Sequence, residues 1–323
     1  MSAPAAGRTP TTTEGRQRMT RTRDGRTILG GTTRAALLLV GVALVVSGCG
    51  SGSKASSSSS GKTVSVIFAG SLADLMENNI GPAFQKASGY AFQGYGGGSG
   101  EDAKEIKGKV RQGDVFVSAS AEADQELQGA ANGGWVSWYS TFATTPLVLG
   151  YDPSSKFGKE LAAGMPWYKV LAQPGIMVGR TDPKLDPKGA LTVKAVESAA
   201  AKLNDPALAK TLPSFPVFPE TALVGRLQSG QLDAGVFYAI EANVAHIKTV
   251  SLAPISETAA YTVTILNHAS HQAAAEAFVR YLLEASRAST LTSNGLTPLS
   301  PKLTGAAAAV PTGVRSAVGA SAP

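Results

Sequence analysis

Short apolar runs rich in β-branched residues recur along the chain and are bounded by glycine, proline or polar residues, a pattern typical of β-strands. The predicted strands are 63–69, 114–119, 145–151, 175–180, 234–239 and 261–266. Between them, apolar positions recur at spacings of three and four, which predicts helices. The predicted helices are 71–87, 101–112, 190–204, 220–228 and 271–287. Alternating strands and helices predict an α/β fold with mixed, mostly parallel sheets, in which ligands bind beyond the carboxyl ends of the strands.

The N-terminal segment has a different pattern. Seven arginines precede an apolar run at 35–46, which is followed by Ser47-Gly48-Cys49. That order predicts a signal peptide over residues 1–48, and Met19 is an alternative start that would shorten it. The run is about a dozen residues long, whereas a membrane-spanning helix needs roughly 20. A transmembrane anchor is therefore the weaker alternative.

Cys49 is the only cysteine, so no disulfide within the chain is possible. The alternative to a modified residue is a buried free thiol. The segment ending at Cys49 resembles a bacterial lipobox, which implies a lipid on its thiol and an anchor on the outer face of the cell membrane. Residues 49–61 are rich in serine and glycine and predict a flexible tether. The tail, 305–323, is rich in alanine, glycine, serine and proline and is predicted to be disordered.

The net charge of +6 belongs almost entirely to the predicted signal peptide. Residues 1–48 hold seven arginines against two acidic residues, and the remainder holds 22 basic against 21 acidic residues. A near-neutral body without a basic stripe argues against a nucleic-acid partner. The three histidines form no zinc-binding HExxH pattern, and no Gly-x-Ser-x-Gly motif is present, so the sequence predicts neither an enzyme nor a cofactor.

Two serines follow predicted strands at the start of predicted helices. Ser71 follows Gly70, and Ser99 lies in the glycine-rich segment 96–100. Each hydroxyl could cap its helix or could bind an anion at the helix N-terminus, and the local pattern of Ser71 favours capping. The glycine-rich segment is not a P-loop, because no Lys-Ser/Thr pair follows it.

Three further segments carry polar residues with two interpretations each. Asp186 precedes Pro187 in a rigid turn, which turn formation alone explains. Glu220 lies in the first turn of a predicted helix, where the helix dipole favours a carboxylate. Tyr238 ends a predicted strand and could serve either core packing or ligand binding.

Taken in order, these segments resemble the molybdate/tungstate-binding lipoproteins of ABC importers, especially the archaeal branch, over about residues 62–300. The most specific matches are Ala69-Gly70-Ser71-Leu72, Asp114-Val115-Phe116-Val117-Ser118-Ala119-Ser120 and Pro219-Glu220-Thr221-Ala222-Leu223-Val224, followed by 227–233 and Tyr238. The resemblance implies a two-lobed periplasmic-binding-protein type II fold. Lobe 1 would comprise 62–144 plus 262–304, and lobe 2 would comprise 145–261.

The resemblance also implies a site. Ser71, Ser99 and Tyr238 would donate hydrogen bonds to the oxyanion, as would backbone N–H groups near Gly70 and around Asp186, Pro187 and Lys188. Asp186 and Glu220 would bind the molybdenum or tungsten directly. A carboxylate facing a dianion is otherwise repelled by about 4 kcal/mol per close pair at an effective dielectric constant of 20. Direct bonding to the metal reverses that sign, so the two carboxylates would discriminate against sulfate.

One segment departs from the family, which usually follows the aspartate with Pro-Cys-Gly-Tyr-Arg. Here Asp186 is followed by Pro187-Lys188-Gly189-Ala190-Leu191, which adds a cation. The expected protein is a monomeric, lipid-anchored extracellular binding protein that delivers molybdate or tungstate to an ABC permease and its ATPase. The alternatives are a receptor for sulfate, phosphate or an organic anion on the same scaffold, and a surface-anchored hydrolase or adhesion lipoprotein. The sequence does not distinguish molybdate from tungstate.

Overall fold

The computed structural model describes residues 62–284 and 287–320. The predicted signal peptide, the lipidated Cys49 and the tether lie outside the described residues, and those three assignments stay predictions. Across the described part of the chain, no helix combines the length and the apolar character that crossing a bilayer requires.

The described residues form nine strands, which include all six that the sequence predicts. They are β1 (Thr63–Ala69), β2 (Ala91–Gly97), β3 (Val115–Ser118), β4 (Trp138–Tyr151), β5 (Val178–Gly179), β6 (Ala234–Tyr238), β7 (Lys248–Ser251), β8 (Thr258–Ile265) and β9 (Thr297–Gly305). The sequence pattern missed β2, β7 and β9. Glycines interrupt β2 and prolines interrupt β9, and both residue types weaken a strand pattern. Pairing supplied by the neighbouring strands overrides that weakness.

Each predicted helix has a counterpart among the eleven described helices, and six short described helices were not predicted. The eleven are α1 (Gly81–Ser88), α2 (Ser99–Lys107), α3 (Ala121–Gln125), α4 (Lys156–Ala162), α5 (Trp167–Leu171), α6 (Pro187–Lys202), α7 (Pro206–Ala209), α8 (Glu220–Gln228), α9 (Ala239–Val244), α10 (Gln272–Leu283) and α11 (Ala288–Ser293). The predicted helix 71–87 is divided into a 3₁₀ turn, Gly70–Leu72, a π-helical turn, Leu75–Ile80, and α1. Pro82 lacks the N–H that an α-helix would donate to the carbonyl four residues earlier, which accounts for the wider turn before it.

The strands form one mixed sheet in the order β2-β1-β3-β8-β4-β6-β5, and β7 and β9 also pair with β4. The pairs β1–β2, β1–β3 and β5–β6 are parallel. The other five pairings of the described strands are antiparallel. The predicted mixed α/β class is therefore confirmed, but the expectation of mostly parallel pairing is wrong. The long strand β4 causes the difference, because all four of its partners run against it.

Strands β8 and β4 lie at the centre of the sheet and connect the half that contains β1, β2 and β3 with the half that contains β5 and β6. The N-terminal part of β4 pairs with β8 and β9, and its C-terminal part, from Leu147, pairs with β6. The predicted lobe boundaries at 144/145 and 261/262 fall inside β4 and β8. These strands therefore carry the chain between the halves, which is consistent with crossover segments. The division into two lobes stays a prediction.

The tail that composition predicted to be disordered is packed against the core as far as residue 320. Val310, Val314 and Val318 are each at most 2% exposed and belong to the main core cluster. The Ser140 hydroxyl donates a hydrogen bond to the Val318 carbonyl oxygen at 2.9 Å. The prediction was wrong because average composition does not register three valines spaced four residues apart.

Candidate functional site

Gly70 and Ser71 form the turn that directly follows β1. Ser71 is 5% exposed, and its Oγ lies 2.9 Å from the phenolic oxygen of Tyr261 on β8. Ala69, the residue that precedes this turn, makes no side-chain capping hydrogen bond. The Ser71 hydroxyl therefore bonds to Tyr261 on β8 and not to a backbone N–H of its own turn. The capping interpretation is not supported.

The glycine-rich turn before α2 packs against the segment that carries Asp186. Ser99 is fully buried, and its Oγ accepts a hydrogen bond from the Ala119 N–H at 3.0 Å. A Cβ atom on Gly98 would lie 2.8 Å from the Leu185 carbonyl oxygen and 3.3 Å from the Asp186 Cβ. The Glu101 N–H donates to the same Leu185 carbonyl at 2.8 Å. Only a glycine permits this close approach at position 98.

Asp186 caps α6. Its Oδ1 accepts a hydrogen bond from the Lys188 N–H at 2.9 Å, and its own N–H donates to the Asp182 carbonyl at 2.9 Å. Pro187 has no N–H to offer. These bonds within the protein contradict the expectation that backbone N–H groups at 186–188 complete the ligand donors. Asp186 Oδ2, in contrast, is buried without a hydrogen-bond partner among the described residues.

The Lys188 side chain is fully buried between two glutamates. Its Nζ lies 2.6 Å from Glu241 Oε1 and 3.4 Å from Glu220 Oε1. Burial alone would lower the pKa of Lys188, but the carboxylates of Glu241, Glu220 and Asp186 raise it above its ordinary value, so the ammonium stays charged.

Glu241 was missed at the sequence level. Its Oε2 accepts a hydrogen bond, at 2.9 Å, from the N–H of Tyr238, the N-cap residue of α9. A glutamate three residues after a helix N-cap often accepts from the N-cap N–H in this way, and that spacing was a usable sequence signal.

Glu220 is the first residue of α8 and is 6% exposed. Neither carboxylate oxygen has a hydrogen-bond partner among the described residues. Burial and then the charge of Asp186 raise the pKa of Glu220 well above its ordinary value, while Lys188 opposes the shift. A Cβ atom on Gly70 would lie 2.7 Å from Glu220 Oε2, so this carboxylate faces the turn after β1.

Tyr238 and Tyr261 place two phenols beside these carboxylates. Tyr238 ends β6, is fully buried, and has a hydroxyl without a hydrogen-bond partner among the described residues. The two rings lie 6.2 Å apart and nearly perpendicular, at 73°. Burial raises the pKa of both phenols well above the ordinary value, so both remain neutral hydrogen-bond donors. Tyr261 lies within a predicted strand, where no loop signal marked it as a site residue.

Buried polar atoms without partners are concentrated around Glu220. A cavity of about 210 Å³ is lined by Gly98, Thr181, Asp186 and Glu220, and the Thr181 hydroxyl is also unpartnered. A second cavity, of about 300 Å³, lies beside Gly70, Ser71 and Glu220. Each unsatisfied buried group costs roughly 1–3 kcal/mol, so such a concentration indicates a ligand-binding site. Within 62–284 and 287–320, no three His, Cys, Asp or Glu side chains are grouped so as to hold a metal ion.

The two halves of the mixed sheet are joined through β4 and β8, and a small, buried and polar site lies beside these strands. This arrangement is typical of solute-binding proteins of the periplasmic-binding type. The chain belongs to the family of bacterial extracellular solute-binding proteins, whose family model matches residues 64–297. The family agrees with the prediction of a binding protein rather than an enzyme, and it indicates an extracellular location.

Relatives confirm the resemblance drawn from the sequence. A protein of Haloferax volcanii, provisionally named an ABC transporter molybdenum-binding protein, is 33% identical over 177 residues, which cover 54% of this chain and 55% of that protein. The molybdate/tungstate-binding protein WtpA of Thermococcus kodakarensis is 28% identical over 177 residues, which cover 51% and 49% of the two chains. The chain thus spans about half the length of these two relatives.

Solved structures confirm the predicted fold. The periplasmic molybdate-binding protein of Azotobacter vinelandii matches with a TM-score of 0.57 at 18% identity, over 72% of this chain and 98% of that chain. The sulfate-binding protein SubI of Mycobacterium tuberculosis also matches with a TM-score of 0.57, at 14% identity, over 74% and 87% of the two chains. At these identities the likeness concerns the fold and not the ligand.

Proposed function

We propose that this chain is the solute-binding component of an ABC importer and that it captures molybdate or tungstate. The observation that carries the proposal is a pair of buried carboxylates: Asp186, whose Oδ2 lacks a hydrogen-bond partner among the described residues, and Glu220, both of whose oxygens lack one. Ser71 and Tyr238 place hydroxyl groups beside them. Sulfate would meet only repulsion from such carboxylates. Molybdenum and tungsten accept carboxylate oxygens as additional ligands, and the names of the relatives agree with this choice.

The residues divide into donors and metal ligands. Ser71, Ser99 and Tyr238 donate hydrogen bonds to the oxyanion, while Gly70 lets the ligand approach the turn after β1 closely. Asp186 Oδ2 and the Glu220 carboxylate bind the metal atom. Pro187, at the first position of α6, keeps Asp186 at the helix N-cap.

The proposal includes the placement of the protein. A lipid on Cys49 and the tether at 49–61 hold a monomeric body on the outer face of the cell membrane. Two lobes joined through β4 and β8 close on the oxyanion by a hinge motion and deliver it to a membrane permease driven by an ATPase.

The test is isothermal titration of the purified chain with molybdate, tungstate, sulfate and phosphate. We expect tight binding of the first two only. Glu220→Ala should weaken molybdate binding about 30-fold or more, as expected for loss of a buried charged partner. Glu77→Ala removes an exposed glutamate and serves as the control, with unchanged affinity. Tight sulfate binding without a molybdate response would contradict the proposal.

A second candidate, an organic anion on the same scaffold, is favoured by one observation. A cavity of about 510 Å³ lies beside Asp186 and is lined by Ser120, Lys184 and Lys194, by the two glutamates Glu122 and Glu126, and by apolar residues. That volume accommodates an organic group larger than a bare oxyanion. Titration with glycerol phosphate separates the two candidates, because only the second expects it to outcompete molybdate.

A further inference from the structure

The most unusual side chain of the site is Lys188, a fully buried lysine among three carboxylates. Its Nζ contacts Glu241 at 2.6 Å and Glu220 at 3.4 Å, and Asp186 lies two residues before it on the same turn. The Lys188 side chain is 0% exposed, and those of Glu220 and Glu241 are 2% and 6% exposed. Charges this deeply buried are tolerated only when they are paired.

The surroundings of the ammonium hold it in place. Glu241 is itself fixed, because its Oε2 accepts the Tyr238 N–H at 2.9 Å. The ammonium also lies 5.6 Å from the centre of the Tyr238 ring and 5.9 Å from that of the Phe237 ring, within the range of cation–π attraction. Lys188 thereby connects the first turns of α6, α8 and α9 at one point.

The formal charges of this cluster pose a problem for an anion-binding site. In their ionised forms Asp186, Glu220 and Glu241 would contribute three negative charges, and Lys188 is the single cation that forms ion pairs with Glu220 and Glu241 among the described residues. A bound dianion would add two more negative charges. At the low effective dielectric constant of a buried site, each uncompensated like charge opposes binding strongly.

We infer that the ammonium of Lys188 compensates the buried carboxylates and thereby allows the cleft to admit a doubly charged oxyanion. This inference rests on the proposed function and adds a role for the Lys188 side chain, which needs no direct contact with the ligand. The charge of Lys188 is what matters, and it acts through Glu241 and Glu220.

The test compares three variants by isothermal titration with molybdate and by thermal unfolding. Lys188→Met raises the net negative charge of the cluster by one and should weaken binding about 30-fold or more. Glu241→Gln lowers the negative charge by one and should bind as tightly as the wild type or more tightly. The double variant K188M/E241Q restores the wild-type net charge without a buried ion pair, and its affinity should return to within about tenfold of the wild type.

A merely structural role would lower the melting temperature of Lys188→Met without this reciprocal pattern of affinities. Wild-type affinity in folded Lys188→Met would overturn the inference, and so would a folded double variant that does not bind, because that result requires direct contact with the ligand. If Lys188→Met does not fold, the double variant decides alone.

The wild-type titration separates this inference from the proposed function. If the wild type binds sulfate or phosphate instead of molybdate, the proposed ligand is wrong, and the same variants are titrated with the oxyanion that binds. The reciprocal pattern would then still support the role of Lys188. A wild type that binds none of the four oxyanions overturns both proposals.

Discussion

The buried carboxyl group of Asp124, on α3, is expected to make the stability of the protein decrease as the pH rises. Its side chain is fully buried, and its Oδ2 accepts a hydrogen bond from the Thr262 hydroxyl on β8 at 2.5 Å. Its Oδ1 has no hydrogen-bond partner among the described residues. Burial raises the pKa of Asp124 from 3.8 to about 8, despite the opposing hydrogen bond from Thr262. The carboxyl group is therefore protonated in the folded protein at neutral pH.

The sign and size of the effect follow from proton linkage. Between pH 4 and pH 8 the folded protein holds a proton on Asp124 that the unfolded chain has released. The stabilisation that this proton gives is complete below the pKa that Asp124 has in the unfolded chain. It decreases as the pH rises and is lost once the pH passes the pKa that Asp124 has in the folded protein. At about 1.4 kcal/mol per pH unit, the loss reaches roughly 4 kcal/mol by pH 7.

Asp124→Asn replaces the protonated carboxyl by a neutral side chain of the same shape and should remove this pH dependence. The assay is urea unfolding of both proteins at pH 5, 7 and 8.5. We expect the free energy of unfolding of the variant, relative to the wild type, to rise by several kcal/mol between pH 5 and pH 8.5. Asp102, whose pKa burial also raises to about 8, is present in both proteins and cancels in the difference.

Glu126→Gln is the matched control, because it removes an exposed carboxylate two residues away. Its stability curve should run parallel to that of the wild type. If the Asp124→Asn curve also runs parallel to the wild type across the three pH values, the reasoning from burial is refuted.

Three further predictions concern the ligand site and the tail. Tyr238→Phe removes a hydroxyl that has no partner in the described protein, so molybdate affinity should fall about tenfold in a titration while the melting temperature stays unchanged; an unaltered affinity would exclude this hydroxyl from the site. Gly70→Ala places a methyl group 2.7 Å from Glu220 Oε2 and should weaken molybdate binding by displacing the carboxylate, whereas Gly225→Ala, which meets open space, should not. Ending the chain at Gly305 removes the three buried valines of the tail, at about 1.5 kcal/mol or more each, and should lower the urea midpoint; an unchanged midpoint would show that the tail adds no stability.

The strand and helix pattern was predictable where the information is local. β1 and α8 have the predicted boundaries, because alternating apolar residues and a charged first turn are read within a single element. The polar residues that follow strands were also visible, since Ser71 and Glu220 stand at helix starts. Their convergence was expected only from the resemblance to a known family.

Partners distant in sequence were not predictable from local pattern. Tyr261 joins Ser71 across 190 residues, and Glu241 joins Lys188 across 53 residues. Each side chain lies in a strand or helix whose own sequence is explained by packing or capping. Local sequence pattern also does not predict that β4 pairs antiparallel with four other strands.

The sequence by itself determined six of the nine described strands, the predicted helical segments, the near-neutral body and the segments that carry the candidate site, because periodicity and turn residues act over a few positions. The tertiary structure alone decided that the tail is packed, that backbone N–H groups at 186–188 are already bonded, and that Lys188 is buried between Glu220 and Glu241. Those outcomes depend on which surfaces meet, and burial then sets the energetic consequence of each polar group. The same lysine would be an ordinary solvated charge on an exposed helix.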